Sequence, residues 1–235
     1  MDRVEMIRAE EKLYHDFFYE NYNLFEQGTW LHKPVQTVLD LIEQFNSYEI
    51  LRVLDLGSGV GRNSIPIAQT IKNRQGKVIC VDLLESALNK LHEYSKRYEV
   101  EHIIEIRLSD IEQFEIKQSE YDLIIAVSAL EHVSSERALE MKLREMVLGT
   151  VADGINCIII NSNIREINQM TNNELDPMFE INLSTERMLD LLDRNYKGWE
   201  IQKRLIKQLE FDIERREQPV KLVSDCITYI AKRNW

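Results

Sequence analysis

The chain contains little cysteine, glycine or proline. Its 235 residues include three cysteines, eight glycines and four prolines. Cys80, Cys157 and Cys226 lie far apart and form no C-x-x-C pair, so the sequence indicates neither a disulfide framework nor a metal site. No run approaches the roughly 18 apolar residues of a membrane span, and the start lacks a secretory leader. We therefore expect a cytoplasmic protein that does not span a membrane.

Positive charge is scarce as well. The 29 Lys and Arg residues against 40 Asp and Glu residues give a formal net charge of −11. Because non-specific nucleic-acid binding depends on Lys and Arg contacts to phosphates, this balance disfavours a nucleic-acid partner. The 44% hydrophobic and 29% charged composition is typical of one globular domain, which we expect to be a monomer or a homodimer.

Short apolar runs alternate with segments of helical spacing along most of the chain. Parallel sheets covered on both faces produce such near-continuous apolar strands. The alternation predicts a parallel sheet with helices on both faces. The five strand-like runs cover residues 49–57, 77–82, 102–108, 121–127 and 156–162.

The alternation of strand-like and helical segments stops near the end of the chain, where two extended runs follow each other around Pro219 without a helix between them. They predict a hairpin that adds an antiparallel strand to the sheet. The predicted fold is a single α/β domain with a doubly wound, Rossmann-like, seven-stranded sheet. Its predicted parts are a helical arm or lid (1–34), a cofactor-binding core (35–164), a helical insert on the substrate side (165–198) and the C-terminal β-hairpin (199–235).

Three of the eight glycines, Gly57, Gly59 and Gly61, follow the first strand-like run. A glycine-rich first turn in such a sheet is a nucleotide-binding position. A phosphate-binding loop of the Walker type would need a Lys where Arg62 stands, and the dinucleotide motif G-x-G-x-x-G is one residue longer. Both classes are therefore disfavoured, and a purely structural turn is the other alternative.

The residues VLDLGSGVGRNS at positions 53–64 resemble motif I of the class I S-adenosylmethionine-dependent methyltransferases. The resemblance extends from about residue 35 to the end. Within that class, LDLGSGVGRNSIPIA and the C-terminal run look nearest to the tellurite-resistance methyltransferases. Those enzymes carry Leu-His-Arg where this chain has residues 210–212, Glu-Phe-Asp, so the likeness does not extend to an oxyanion substrate.

The resemblance implies S-adenosyl-L-methionine as cofactor and S-adenosyl-L-homocysteine as product. It assigns Asp55 to the methionine end of the cofactor, Asp82 to the ribose hydroxyls, and Asp110 with Ile111 to the adenine. A helix-capping role is the alternative for Asp82 and Asp110. The implied cofactor-binding residues are Asp55, Gly57, Ser58, Gly59, Gly61, Asn63, Asp82, Leu83, Asp110, Ile111 and Ser128.

The segment SALEHV at residues 128–133 lacks the signatures of DNA and protein-arginine methyltransferases, which favours a small-molecule acceptor. His132 is the catalytic candidate, either deprotonating the acceptor or holding its anion, with packing or capping as the alternative. Glu131 is expected to be solvated or capping. Most aromatic residues of the arm are expected to pack on the body, and the lid candidates are Tyr14, Tyr22 and Trp30.

Methyl transfer is an in-line displacement that depends on positioning and desolvation more than on acid–base groups. The predicted function is therefore methyl transfer to a small molecule. Two alternatives stay open: a non-catalytic S-adenosylmethionine-binding sensor or partner subunit, and an RNA-modifying methyltransferase.

Overall fold

The computed structural model describes residues 2–215 and 218–234. Over these residues a mixed sheet is flanked by helices on both faces. The strands are β1 (Ile50–Leu56), β2 (Gln75–Asp82), β3 (Ile104–Leu108), β4 (Tyr121–Val127), β5 (Thr150–Asn168), β6 (Glu174–Leu175), β7 (Glu200–Arg215) and β8 (Gln218–Lys232). The helices are α1 (Arg3–Asn21), α2 (Gln36–Glu43), α3 (Ser64–Ile71), α4 (Glu85–Arg97), α5 (Glu136–Gly149) and α6 (Thr185–Asn195).

The sheet has the order β3-β2-β1-β4-β5-β8-β7. The first five strands in this order run parallel, and β8 and β7 are antiparallel to their neighbours. The doubly wound prediction with a C-terminal hairpin is therefore confirmed. A two-residue strand, β6, pairs with β5 beside this path and makes the sheet eight-stranded rather than seven-stranded.

Both faces of the sheet carry an apolar core, as the continuous apolar runs predicted. Successive strand side chains point to opposite faces, so neighbours in β1 enter different cores. Val53 packs in the cluster that includes Ile65 of α3, whereas Leu54 packs in the cluster that includes Leu139 of α5. The central strands are thus covered on both sides, and the polar groups needed for chemistry lie at strand ends.

The insert predicted as helical over 165–198 is helical only in α6. The strand β5 continues to Asn168, and the residues from there to α6 contain β6 and irregular structure, because they pack along the extended β5–β8 ladder. In the C-terminal hairpin, Arg216 and Glu217 lie outside the described residues. Within the two described ranges, no helix is long and apolar enough to cross a membrane.

A buried hydrogen-bond chain ties α6 to the start of β5. Asn156 donates from its side-chain nitrogen to the Tyr196 hydroxyl at 2.9 Å and accepts from the Thr150 hydroxyl at 2.8 Å. We expect Tyr196→Phe to lower the free energy of unfolding by about 1–3 kcal/mol, because it leaves the Asn156 amide buried without an acceptor.

Urea unfolding measures this change, and Tyr229→Phe is the matched control. The Tyr229 hydroxyl donates to Asp193, whose half-exposed carboxylate is hydrated once the hydroxyl is removed. Equal losses in the two variants would contradict the assignment.

Candidate functional site

The glycine loop (residues 57–61) lies between the ends of β2 and β4. Its three glycines have φ angles of +74°, +53° and +91°, the left-handed region that favours glycine. The amides of Gly57 and Ser58 donate to the carbonyl of Val81 at 2.9 and 3.0 Å. A Cβ atom on Gly57 would lie 2.4 Å from the Cβ of Ala129. Glycine is therefore required where the turn after β4 meets the loop.

Asp82, at the end of β2, is bound directly to this loop. Its Oδ2 accepts from the amide of Gly59 at 2.8 Å, and its Oδ1 accepts from the amide of Leu84 at 2.9 Å. Burial raises the pKa of Asp82, and these two hydrogen bonds oppose that rise. The structure thus brings the predicted ribose-binding carboxylate against the glycine loop.

Asp55 lies beneath the loop, fully buried, and accepts a hydrogen bond from the Ser64 hydroxyl at the start of α3. Burial raises its pKa to about 7; the charge of Asp82 adds to the rise, and the Ser64 hydrogen bond and Arg62 oppose it. The neighbouring Asn63 is also buried and accepts from the amide of Val35 at 3.0 Å.

The remaining predicted cofactor residues follow the same carboxyl edge of the sheet. Asp110 accepts from the amide of Glu112 at 2.8 Å, and Ile111 beside it is buried. Leu83 is exposed, and Ser128, with φ +49°, follows β4. The structure therefore brings the predicted cofactor-binding residues to one edge, where their individual roles stay predictions.

Helix α1 lies across this edge. Arg8 pairs with Asp110 at 2.9 Å. About two turns further along the helix, Asp16 accepts from the hydroxyl of Ser86. At the end of the helix, a Cβ on Gly59 would lie 3.2 Å from the Tyr19 hydroxyl. The helix thus covers the sheet edge from the end of β3 to the glycine loop.

The aromatic residue that reaches the loop is Tyr19, which was not among the lid candidates. Tyr14 and Trp30 are 41% and 37% exposed, and Tyr22 packs against Phe18 with ring centroids 4.6 Å apart. The signal that identifies the inner face of α1 is its helical spacing, which aligns Arg8, Glu11, His15 and Tyr19 on one stripe.

His132 belongs to an ionic network between the turn after β4 and Glu180. Its Nδ1 contacts Oε2 of Glu180 at 2.9 Å, and its ring stacks on Phe179 at 5.6 Å. Burial lowers its pKa, but the Glu180 hydrogen bond and the charges of Glu131 and Glu11 outweigh this and raise the pKa to about 9. His132 is therefore a cation near neutral pH, which suits holding a ligand rather than accepting its proton.

Glu131 is 1% exposed, so the expectation of a solvated carboxylate is wrong. The 3₁₀ turn Leu130–His132 directs its side chain onto β5, where Oε1 accepts from the Asn161 side-chain amide at 2.7 Å. Its other oxygen, Oε2, is buried and has no hydrogen-bond partner. Burial raises the pKa of Glu131.

Within the described part of the chain, the buried side-chain polar atoms that lack a hydrogen-bond partner all border this site. Buried polar groups are normally paired, and exceptions call for an explanation such as a ligand. Their concentration between α1 and the sheet edge marks the candidate site. The four atoms are Arg8 Nε, His15 Nδ1, Ser58 Oγ and Glu131 Oε2.

Comparison with known proteins agrees with this geometry. Residues 53–148 match the family described as methyltransferase domain. The matched segment, residues 53–148, is a methyltransferase domain. The predicted family resemblance and the enzyme class are confirmed by this match. No curated protein sequence matches the chain significantly.

Solved methyltransferase structures share the fold. TehB from Haemophilus influenzae is 20% identical with a TM-score of 0.61, over 93% of this chain and 66% of TehB. The N-methyltransferase NodS from Bradyrhizobium japonicum is 14% identical with a TM-score of 0.57, over the full length of both chains. A Burkholderia thailandensis 1,6-didemethyltoxoflavin-N1-methyltransferase is 13% identical with a TM-score of 0.55, over 85% of this chain and 78% of its own. At these identities the likeness concerns the fold.

The methyltransferase domain contains a buried carboxyl whose titration can be measured through stability. Because the pKa of Asp55 rises from 3.8 to about 7 on folding, the folded state takes up a proton there. Its contribution to stability is complete below pH 3.8 and is lost as the pH rises through 7.

The free energy of unfolding of the wild type should fall between pH 4 and pH 8 because Asp55 loses its proton. Asp55→Asn lacks this titration, so its stability relative to the wild type should be about 2–4 kcal/mol higher at pH 8 than at pH 4. Urea unfolding at both pH values measures the difference. Parallel pH curves for the two proteins would show that Asp55 is not protonated on folding.

Proposed function

We propose that the protein transfers the methyl group of S-adenosylmethionine to a small-molecule acceptor. In this proposal the acceptor binds between α1, the turn 128–133 and residues 176–183. The observation that supports it is the concentration, between α1 and the sheet edge, of buried polar atoms without a hydrogen bond. A reducing compartment such as the cytoplasm suits the three free thiols of the chain.

The residues at the sheet edge fit this cofactor. Its sulfonium and ammonium groups are cationic, and Asp55, Asp82 and Asp110 supply carboxylates along the edge. Asp55 would hold the methionine end, Asp82 the ribose, and Asp110 with Ile111 the adenine. When bound, the cofactor supplies an activated methyl group.

The chain's own contribution is to position the reactants and exclude water. Helix α1 buries the site, and polar contacts such as Arg8 with Asp110 and Asp16 with Ser86 hold it there. Such contacts exchange readily with ligand groups, so we propose that α1 is a lid that opens to admit ligands and closes over them once they are bound. The His132 cation, fixed by Glu180, would orient the acceptor.

The charge distribution supports a small molecule over RNA. The ionic network under α1 is rich in carboxylates, among them Glu11, Glu131 and Glu180, which repel phosphates. A sensor without turnover differs from an enzyme in one observable: only an enzyme passes the labelled methyl group of the cofactor to a second molecule.

Cofactor affinity tests the role of Asp82. We expect Asp82→Asn to weaken S-adenosylmethionine binding about 10- to 100-fold in calorimetric titration, because a carboxylate accepts hydrogen bonds from two hydroxyls better than an amide does. Asparagine keeps one oxygen for the amide of Gly59, whereas the hydrogen bond from the amide of Leu84 is lost.

Asp122→Asn is the matched control. Asp122 is a half-buried carboxylate at the opposite end of β4, where it accepts from the amide of Arg52 at 2.7 Å. Its variant should bind the cofactor like the wild type. If both variants bound equally well, Asp82 would have no role in cofactor binding.

A further inference from the structure

The ionic network under α1 pairs most of its buried carboxylates with cations. Glu180 contacts His132 and Arg8 at 2.9 and 3.6 Å. Glu166, from β5, contacts Arg215 at 3.3 Å, and Arg215 reaches Glu11 of α1 at 3.5 Å. These carboxylates are therefore compensated by groups of the chain itself.

Glu131 differs from them. It receives hydrogen bonds from Asn161, an uncharged residue, on Oε1 alone. The charge of His132 acts on it, but the Nδ1 atom of that imidazole is bound to Glu180. A buried carboxylate with one oxygen unpartnered is costly, and a cation or strong donor placed against that oxygen removes the cost.

Glu131 belongs to the turn that borders the proposed methyl-donor site. Ala129, two residues earlier in the same turn, contacts Gly57 of the glycine loop, and Ile181 of the insert donates its amide to the Glu131 carbonyl at 3.3 Å. Glu131 therefore lies where the loop, the turn after β4 and the proposed acceptor segment meet.

We propose that the methyl acceptor is a small amine and that Oε2 of Glu131 binds its nitrogen. This inference rests on the proposed function. A protonated amine both fills the unpartnered oxygen and neutralises the buried charge, whereas a hydroxyl acceptor would leave the charge uncompensated.

The same carboxylate completes the proton balance of the transfer. Glu131 takes a proton from the bound ammonium, which leaves a neutral amine with a free lone pair. The nitrogen then forms a bond to the methyl carbon, the carbon–sulfur bond breaks with its electron pair staying on sulfur, and the products are the N-methylammonium and S-adenosylhomocysteine.

The first test asks whether Glu131 is a ligand-binding or a structural residue. At pH 8, without ligand, Glu131→Gln should raise the melting temperature by about 2 °C or more, because it removes an uncompensated buried charge. Glu166→Gln is the matched control and should lower the melting temperature, because it breaks the contact to Arg215. A lower melting temperature for Glu131→Gln would overturn the proposal by making Glu131 a structural partner of Asn161.

The second test identifies the methylated atom. Wild-type protein is incubated with S-adenosylmethionine carrying a ¹³C-labelled methyl group and the low-molecular-mass fraction of an extract from the organism's own cells, and the product methyl is assigned by NMR. We expect an N-methyl product and a transfer rate about 100-fold lower in Glu131→Gln. Label on oxygen, sulfur or carbon would overturn the amine proposal while leaving the proposed function intact.

Calorimetry with S-adenosylhomocysteine distinguishes a failure of the amine proposal from a failure of the proposed function. Glu131→Gln should bind it within about threefold of the wild type, because Glu131 lies on the acceptor side. If the wild type does not bind it, the proposed function itself fails. If Glu131→Gln loses binding while the wild type keeps it, Glu131 belongs to the cofactor site and the amine proposal is overturned.

Discussion

The contact between helix α1 and the carboxyl edge of the sheet determines how this site is organised. The helix buries few apolar side chains, chiefly Ile7 and Tyr19, so hydrophobic packing alone does not hold it. Its position depends on polar pairs such as Arg8 with Asp110. A helix held in this way excludes water from the site and can also move away from it at a small cost in free energy. A methyl-transfer site whose ligands exchange requires both properties.

A second constraint is the burial of carboxylates. Burial raises the pKa values of Asp55, Asp82 and Glu131, all of which border the same edge. Each is costly in the ligand-free protein, because a buried negative charge lacks full compensation. A cationic cofactor and, as we propose, a cationic acceptor reduce that cost. The buried carboxylates therefore lower the stability of the ligand-free protein and favour the binding of cationic ligands.

The sequence predicts the fold well because its signals are local. Strands buried on both faces read as apolar runs, and the glycines at residues 57–61 mark the first turn of the sheet, so the edge where ligands bind follows from the chain order. The carboxyl ends of parallel strands meet at that edge, which is why Asp82, at the end of β2, and Asp110, just after β3, lie beside it.

Tertiary contacts account for what the sequence does not reveal. Arg8 and its partner Glu180 are far apart in the sequence, as are Glu11 and its partner Arg215, and no local pattern joins either pair. The burial of Glu131 depends on the packing of its turn against β5. Tyr19 was the exception, since the helical stripe with Arg8 and His15 could have identified it.

The central claim is that ligands bind between α1 and the sheet edge. Hydrogen exchange with and without S-adenosylhomocysteine tests it most directly, because a lid that closes on a ligand gains protection. We predict slower exchange of the amides of Arg3–Asn21 and of residues 57–61 when the ligand is bound. Binding that leaves the exchange of α1 unchanged would contradict this account.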